Sequence, residues 1–169
     1  MDGRSCEHVA TLRGKIPPDL FAEAVYRLGH KYNTALLAVE KQASGHTVLN
    51  ILIQHNYENL YHHRDYDVWQ GKETTEPGWY TSNKTKPLMV DAMKAAFRAG
   101  DFITYSENLL NEALAFQYVG STPERMKMQA APGESDDEII AAMIALIVRE
   151  QEPSAMDETR YPAEVYAEL

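Results

Sequence analysis

A mixed α/β domain is the fold class this sequence predicts, on two observations. Short apolar or alternating runs recur between segments of helical periodicity, in the order expected of strand and helix units around a parallel or mixed sheet. The longest apolar run, Ile139 to Val148, has ten residues. That is too short for the roughly 20 residues a membrane span requires and suits a core helix.

The elements follow in chain order. HVATLRG, from His8 to Gly14, alternates apolar and polar residues and predicts a half-buried strand. PPDLFAEAVYRLGHKY places Pro17 and Pro18 at a helix start, with Leu20, Phe21, Ala24, Val25 and Leu28 on one apolar stripe. TALLAVE is the short apolar run of a strand covered on both faces, and SGHTVLNILIQHN then puts Val48, Leu49, Leu52 and Ile53 on one helical stripe. NLYHHRDY predicts a third strand. The residues from Trp69 to Asn83 read as a polar, turn-rich insert.

KPLMVDAMKAAFRAG has Pro87 in its first turn, a stripe through Leu88, Met89, Ala92, Met93, Ala96 and Phe97, and Gly100 at the stop. DFITY predicts a short strand, SENLLNEALAF a helix capped by Ser106, and ERMKMQA a further strand. The final helix opens in ESDDEII. We expect one domain over residues 1–149, with no internal repeat, and an acidic flexible extension over residues 150–169.

Composition limits the function. A single cysteine, Cys6, allows no intramolecular disulfide, and the N-terminus MDGRSCEHVA has no apolar signal segment, so a soluble intracellular protein is expected. The formal charge of -9 argues against binding nucleic acid by bulk electrostatics. The last 20 residues carry -5 of it, leaving a mildly acidic body. An enzyme that holds cations with carboxylates is compatible with such a body. The six histidines show no zinc spacing, and the chain has no GxSxG, P-loop or GxGxxG motif, so triad hydrolase, ATPase and dehydrogenase chemistry lack support.

Two sets of carboxylates are the candidates for chemistry. Ser135-Asp136-Asp137-Glu138 fits a capping box, in which Ser135 accepts from the third helical amide and Glu138 reaches back. That leaves the Asp136 and Asp137 pair in excess of what a cap needs. Glu40 ends the apolar run ALLAV, either where the strand exits to solvent or where it faces a cleft at the sheet edge. Together these acids supply hard oxygen ligands of the kind that suit Mg²⁺ or Mn²⁺.

YNTALLAVEKQASGHTVLNIL, NLYHHRD, PGWYTSNKTKPLMVDAM, NEALAFQY and APGESDDEIIAAMIALI, taken in order, resemble the C-terminal nuclease domain of the large terminase subunit of tailed bacteriophages. The resemblance runs from about Glu7 to Val148. It implies a ribonuclease H-like mixed sheet flanked by helices, and an endonuclease that cuts double-stranded viral DNA concatemers during genome packaging. Glu40, Asp136 and Asp137 match the family's metal-binding acids, which hold two Mg²⁺ or Mn²⁺ ions in a complete site. Lys41, Lys84 and Lys86 are candidates for contacts to the DNA backbone, although an exposed helix flank explains Lys84 and Lys86 equally well. The implied partners are double-stranded DNA, the terminase ATPase domain, the small terminase subunit and the portal, in the cytoplasm of a bacterial host and with no membrane.

The sequence departs from the family pattern in ways that matter. A first strand ending in a metal-binding aspartate precedes the segment matched by HVATLRG in the family; this chain is expected to lack it, and Asp2 is not assigned its role. The ATPase domain is likewise expected to be missing. EKQAS and GES replace the polar residues usual beside the family's glutamate and aspartates. A second reading therefore stands beside the nuclease: a non-catalytic remnant or interaction module of the packaging machinery. A ribonuclease H-like resolvase or other phage nuclease is a third, sharing the acids without the Gly-Trp and Thr-Lys-Pro blocks.

Overall fold

The computed structural model describes residues 1–67, 72–119 and 127–151. Over these it is a mixed α/β protein with three two-stranded sheets and five helices. The first sheet pairs β1 (Glu7–His8) with β4 (Ile103–Thr104) in parallel. The second pairs β2 (His62–Asp67) antiparallel with β3 (Lys72–Pro77), and the third pairs β5 (Phe116–Val119) antiparallel with β6 (Lys127–Ala130). No helix among the described residues is long and apolar enough to cross a membrane.

The expected strand from His8 to Gly14 is reduced to Glu7 and His8. Beyond it no backbone among the described residues pairs with the chain, and Val9 and Leu12 are exposed. Alternation alone does not make a strand without an edge to bond to. The TALLAVE segment is extended but held by single bridges rather than a ladder, at Leu37 to Leu60 and at Glu40 to Trp79. Its backbone is nevertheless fixed on one side. Leu37 N donates to Asn59 O at 2.9 Å, Trp79 N to Val39 O at 2.7 Å, and Lys41 N to Trp79 O at 2.8 Å.

Helix α1 (Pro18–Lys31) starts at the prolines, where missing amides cost nothing, and packs on α2 (Gly45–Gln54) around Ala22, Val48, Leu52 and Tyr57. Two residues placed on the predicted stripes, Leu20 and Ile53, are exposed, because each lies at the margin of a narrow contact between two short helices. Tyr57 Oη donates to Ala35 O at 2.6 Å and lies where a Cβ on Gly29 would meet it at 2.3 Å, so the glycine allows this close approach. Burial, with a smaller contribution from Tyr26, pushes the Tyr57 pKa up to about 12. Because this folded value exceeds the unfolded one, its contribution to stability is complete below about pH 10 and is lost as pH rises toward 12. Tyr57→Phe is expected to cost about 1 kcal/mol near neutrality and to flatten the fall in stability over that alkaline window, as read by urea denaturation at a series of pH values.

The larger core surrounds α5 (Asp137–Gln151), whose buried residues include Ile139, Met143, Ile144 and Val148. Helix α3 (Thr85–Ala99) contributes Met89, Val90 and Met93, and ends on Gly100 in the left-handed region at φ 73°. Leu88, expected on the same stripe, is exposed. Val90 joins Met89 and Met93 in the core instead, so the buried face is the predicted one turned slightly away from Leu88. Helix α4 (Glu107–Ala115) is capped as expected, with Ser106 Oγ accepting from Leu109 N at 3.2 Å.

Three further corrections concern strands and ends. The expected insert contains β3, which the sequence hides because KETTEP is polar on both faces. Strand β5 begins at Phe116, assigned to the preceding helix by sequence, because the backbone turns extended there to meet β6. Helix α5 continues through Glu150 to Gln151, and the remaining acidic segment, 152–169, lies outside the described residues, as do Trp69 to Gly71 of the expected insert.

Candidate functional site

A cleft of about 1020 Å³ brings together segments distant in sequence. Glu40 and Gln42 come from the end of the extended segment, Tyr80 to Lys84 from the loop after Trp79, and Lys86 from the start of α3. Tyr118 and Gln129 come from the β5 and β6 pair, and Asp136 and Asp137 from the start of α5. All three sequence-predicted carboxylates therefore line one cleft with Lys84 and Lys86. Lys41 does not line it: its ammonium is paired with Glu76 and its side chain is mostly buried.

Local interactions set each position. The Glu40 backbone is held between the bridge to Trp79 and the start of α2, where a Cβ on Gly45 would lie 1.8 Å from the Glu40 carbonyl oxygen. Trp79 is 2% exposed, tilted against Tyr61 and edge-on to His63, so the residue that bridges to Glu40 is packed in the core. Gln42 Nε2 donates to Thr81 O at 2.8 Å and ties the two loops together. Ser82 and Thr85 cap each other across the start of α3: Ser82 N donates to Thr85 Oγ1 at 2.8 Å, and Thr85 N to Ser82 Oγ at 3.1 Å. This fixes the turn that carries Lys84, which is exposed, and leads to Lys86, whose ammonium lies 5.5 Å from the Phe116 ring.

The start of α5 departs from the predicted capping box. Ser135 Oγ donates to Asp137 Oδ2 at 3.0 Å and is a distant acceptor for Asp137 N at 3.5 Å, while Glu138 turns into the core. The helix is capped from α4 instead. Glu112, 6% exposed, accepts from Glu138 N at 2.7 Å and Ile139 N at 2.9 Å through Oε2. Its Oε1 accepts from Arg13 Nη1 at 2.8 Å. Glu138 Oε1 accepts from Thr11 Oγ1 at 3.0 Å and from Ser106 Oγ, and Arg13 stands 3.9 Å from Oε2. A tertiary carboxylate has replaced the local cap, a substitution that sequence spacing does not reveal.

With Glu112 capping the helix start, Asp136 and Asp137 line the cleft. Asp136 is half-buried and accepts from Ala130 N at 3.3 Å through Oδ2, while Asp137 is exposed. Elsewhere, burial raises the Cys6 thiol pKa and lowers that of His8, against the opposing effect of Glu138 on the latter. Cys6 is thus a core residue.

Glu40, Asp136 and Asp137 are hard oxygen donors that line this mixed polar and apolar cleft, the residue type that suits Mg²⁺ or Mn²⁺. Among the described residues no three His, Cys, Asp or Glu side chains stand as a ready-made ligating group. Gly45 and Trp79, which support Glu40, and Glu112, which caps α5, stand in the blocks that carry the resemblance but were given no role by sequence, and Arg13, paired with Glu112, stands outside them. Glu112 stands in the block NEALAF, but nothing local distinguishes it from an exposed helix acid. The chain was compared with protein-family models and with curated proteins, and neither comparison gave a match.

Proposed function

We propose that this cleft is the centre of a divalent-metal-dependent DNA endonuclease of the terminase type, on a ribonuclease H-like fold. The observation that supports the reading is that Glu40, Asp136 and Asp137 line one cleft, which Lys84 and Lys86 also line. Glu40, Asp136 and Asp137 would hold the metal, and such ions activate water and stabilise the leaving oxygen of a phosphodiester when bound. The chain's own contribution is placement. The Trp79 bridge and Gly45 fix Glu40, the Ala130 amide orients Asp136, and the Ser82 and Thr85 cap presents Lys84 toward a phosphate. On this reading the substrate is viral DNA during packaging in a bacterial host, and the ATPase domain, small subunit and portal are the partners.

The test is Mn²⁺- or Mg²⁺-dependent nicking of supercoiled plasmid, with Mn²⁺ binding followed by electron paramagnetic resonance. Glu40→Ala, Asp136→Ala and Asp137→Ala are each expected to lower nicking at least about 100-fold and to weaken Mn²⁺ binding, with thermal unfolding little changed. Mn²⁺ binding without nicking, also when the chain is extended upstream, would favour the non-catalytic module instead. The absence of both Mn²⁺ binding and nicking would refute the metal site itself.

A further inference from the structure

We propose that the DNA strand seated in this cleft is unpaired, and that Tyr80 and Tyr118 are the residues that hold it by stacking on its bases. The inference rests on the nuclease reading for the identity of the polymer, and on three observations for the state of the strand.

The first is charge. Among the described residues the cleft wall carries three carboxylates, Glu40, Asp136 and Asp137, against two lysines, Lys84 and Lys86. Lys86 is already engaged with the Phe116 ring, and Lys41 is neutralised by Glu76. A duplex presents one phosphate per 1.7 Å of its axis and is gripped by clustered cations. Among the described residues the wall offers two lysines against three acids, which favours a hold that does not rest on phosphate pairing alone.

The second is the pair of tyrosines. Tyr80 is 55% exposed and Tyr118 is 57% exposed, and both line the cleft from different elements, the loop after Trp79 and strand β5. A tyrosine ring left this open adds little to the core. It offers a flat apolar face to a ligand. Lys94 Nζ lies 6.0 Å from the Tyr118 ring centroid, so a cation accompanies the stacking platform, an arrangement typical of single-strand channels. Bases in an intact duplex expose only their edges in the grooves, so only unpaired bases meet such faces.

The third is the polar lining and the size. Gln42, Asn83 and Gln129 add amides that donate and accept, as base edges do, and the cleft volume of about 1020 Å³ is at the top of the range of about 300–1,000 Å³ for small-ligand sites. An extended ligand fits this better than a small molecule. The proposal is therefore that a duplex is bound where it is open, or is opened at the position to be cut.

The experiment measures fluorescence anisotropy of a labelled short single-stranded DNA, the matching duplex, and a duplex with a central unpaired segment. Ca²⁺ replaces Mg²⁺ so that the acids are neutralised without cutting. The single strand and the interrupted duplex are expected to bind about tenfold tighter than the intact duplex, and Tyr80→Ala and Tyr118→Ala each to remove about tenfold of that affinity. Tyr80→Phe and Tyr118→Phe, which keep the ring, are expected to bind as the original chain does. Equal or tighter binding of intact duplex, no binding of any DNA, unchanged affinity in the alanine variants, or equal losses in the phenylalanine variants would each overturn it. Single-strand binding that depends on the two rings, in a chain that nicks no plasmid with Mn²⁺, would support the inference while sinking the nuclease reading.

Discussion

Glu112→Ala is expected to lower the free energy of unfolding by about 3–5 kcal/mol. The estimate follows from what the carboxylate leaves behind. Two buried amides, those of Glu138 and Ile139, lose their acceptor, each at about 1–3 kcal/mol, and Arg13 loses its 2.8 Å partner. The Arg13 side chain is 42% exposed, so its share is screened by water and the amides dominate. Glu112→Gln retains an oxygen that can accept from both amides, and is expected to recover more than half of the loss. Urea denaturation of the two variants checks this directly. Equal losses would assign the effect to the Arg13 ion pair instead. A loss below about 1 kcal/mol in both would mean that water replaces the cap.

Gly45→Ala is expected to have the largest effect transmitted to the cleft by a residue outside it. A Cβ there would stand 1.8 Å from the Glu40 carbonyl oxygen, a backbone atom that cannot rotate away. Either α2 starts later or the Glu40 backbone moves, at a cost on the order of 3 kcal/mol. If Glu40 moves by about 1 Å, metal-dependent cleavage falls by about 100-fold. Ala43→Gly, at a neighbouring left-handed position of φ 46°, is the contrast: it relieves a strained backbone and is expected to leave cleavage near the original level. Thermal unfolding and plasmid nicking on both variants separate the two effects. A Gly45→Ala protein of ordinary stability and full activity would show that the helix start yields without disturbing Glu40.

Helices were the legible part of this fold. Pro17 and Pro18, Ser106 and Gly100 each act within one turn of the residue itself, so their meaning survives in the sequence. Leu20, Ile53 and Leu88 show the limit of periodicity, since an apolar residue at a correct spacing is buried only if a partner reaches it. The strands were less legible for the same reason. KETTEP pairs along its full length with β2 although its side chains are polar, because the ladder bonds are made by backbone. HVATLRG alternates well and pairs over two residues. In the site, Glu40, Asp136 and Asp137 could be picked out by position at element ends, whereas Glu112 could not. Its function depends on a helix that begins 25 residues later.

The acid run Asp136-Asp137-Glu138 is divided between two environments, with the aspartates on the cleft and the glutamate locked in the core beside Glu112 and Arg13. Selection can therefore act on adjacent codons for unrelated reasons. On the proposed nuclease reading, a lineage that stopped cutting DNA would be released to lose Asp136, Asp137 and Glu40 one after another, yet would be held to Glu138 and Glu112 for as long as the protein folds. A lineage that kept cutting would hold all five. The pattern of drift across three neighbouring positions would then record, without an assay, whether a lineage kept the activity.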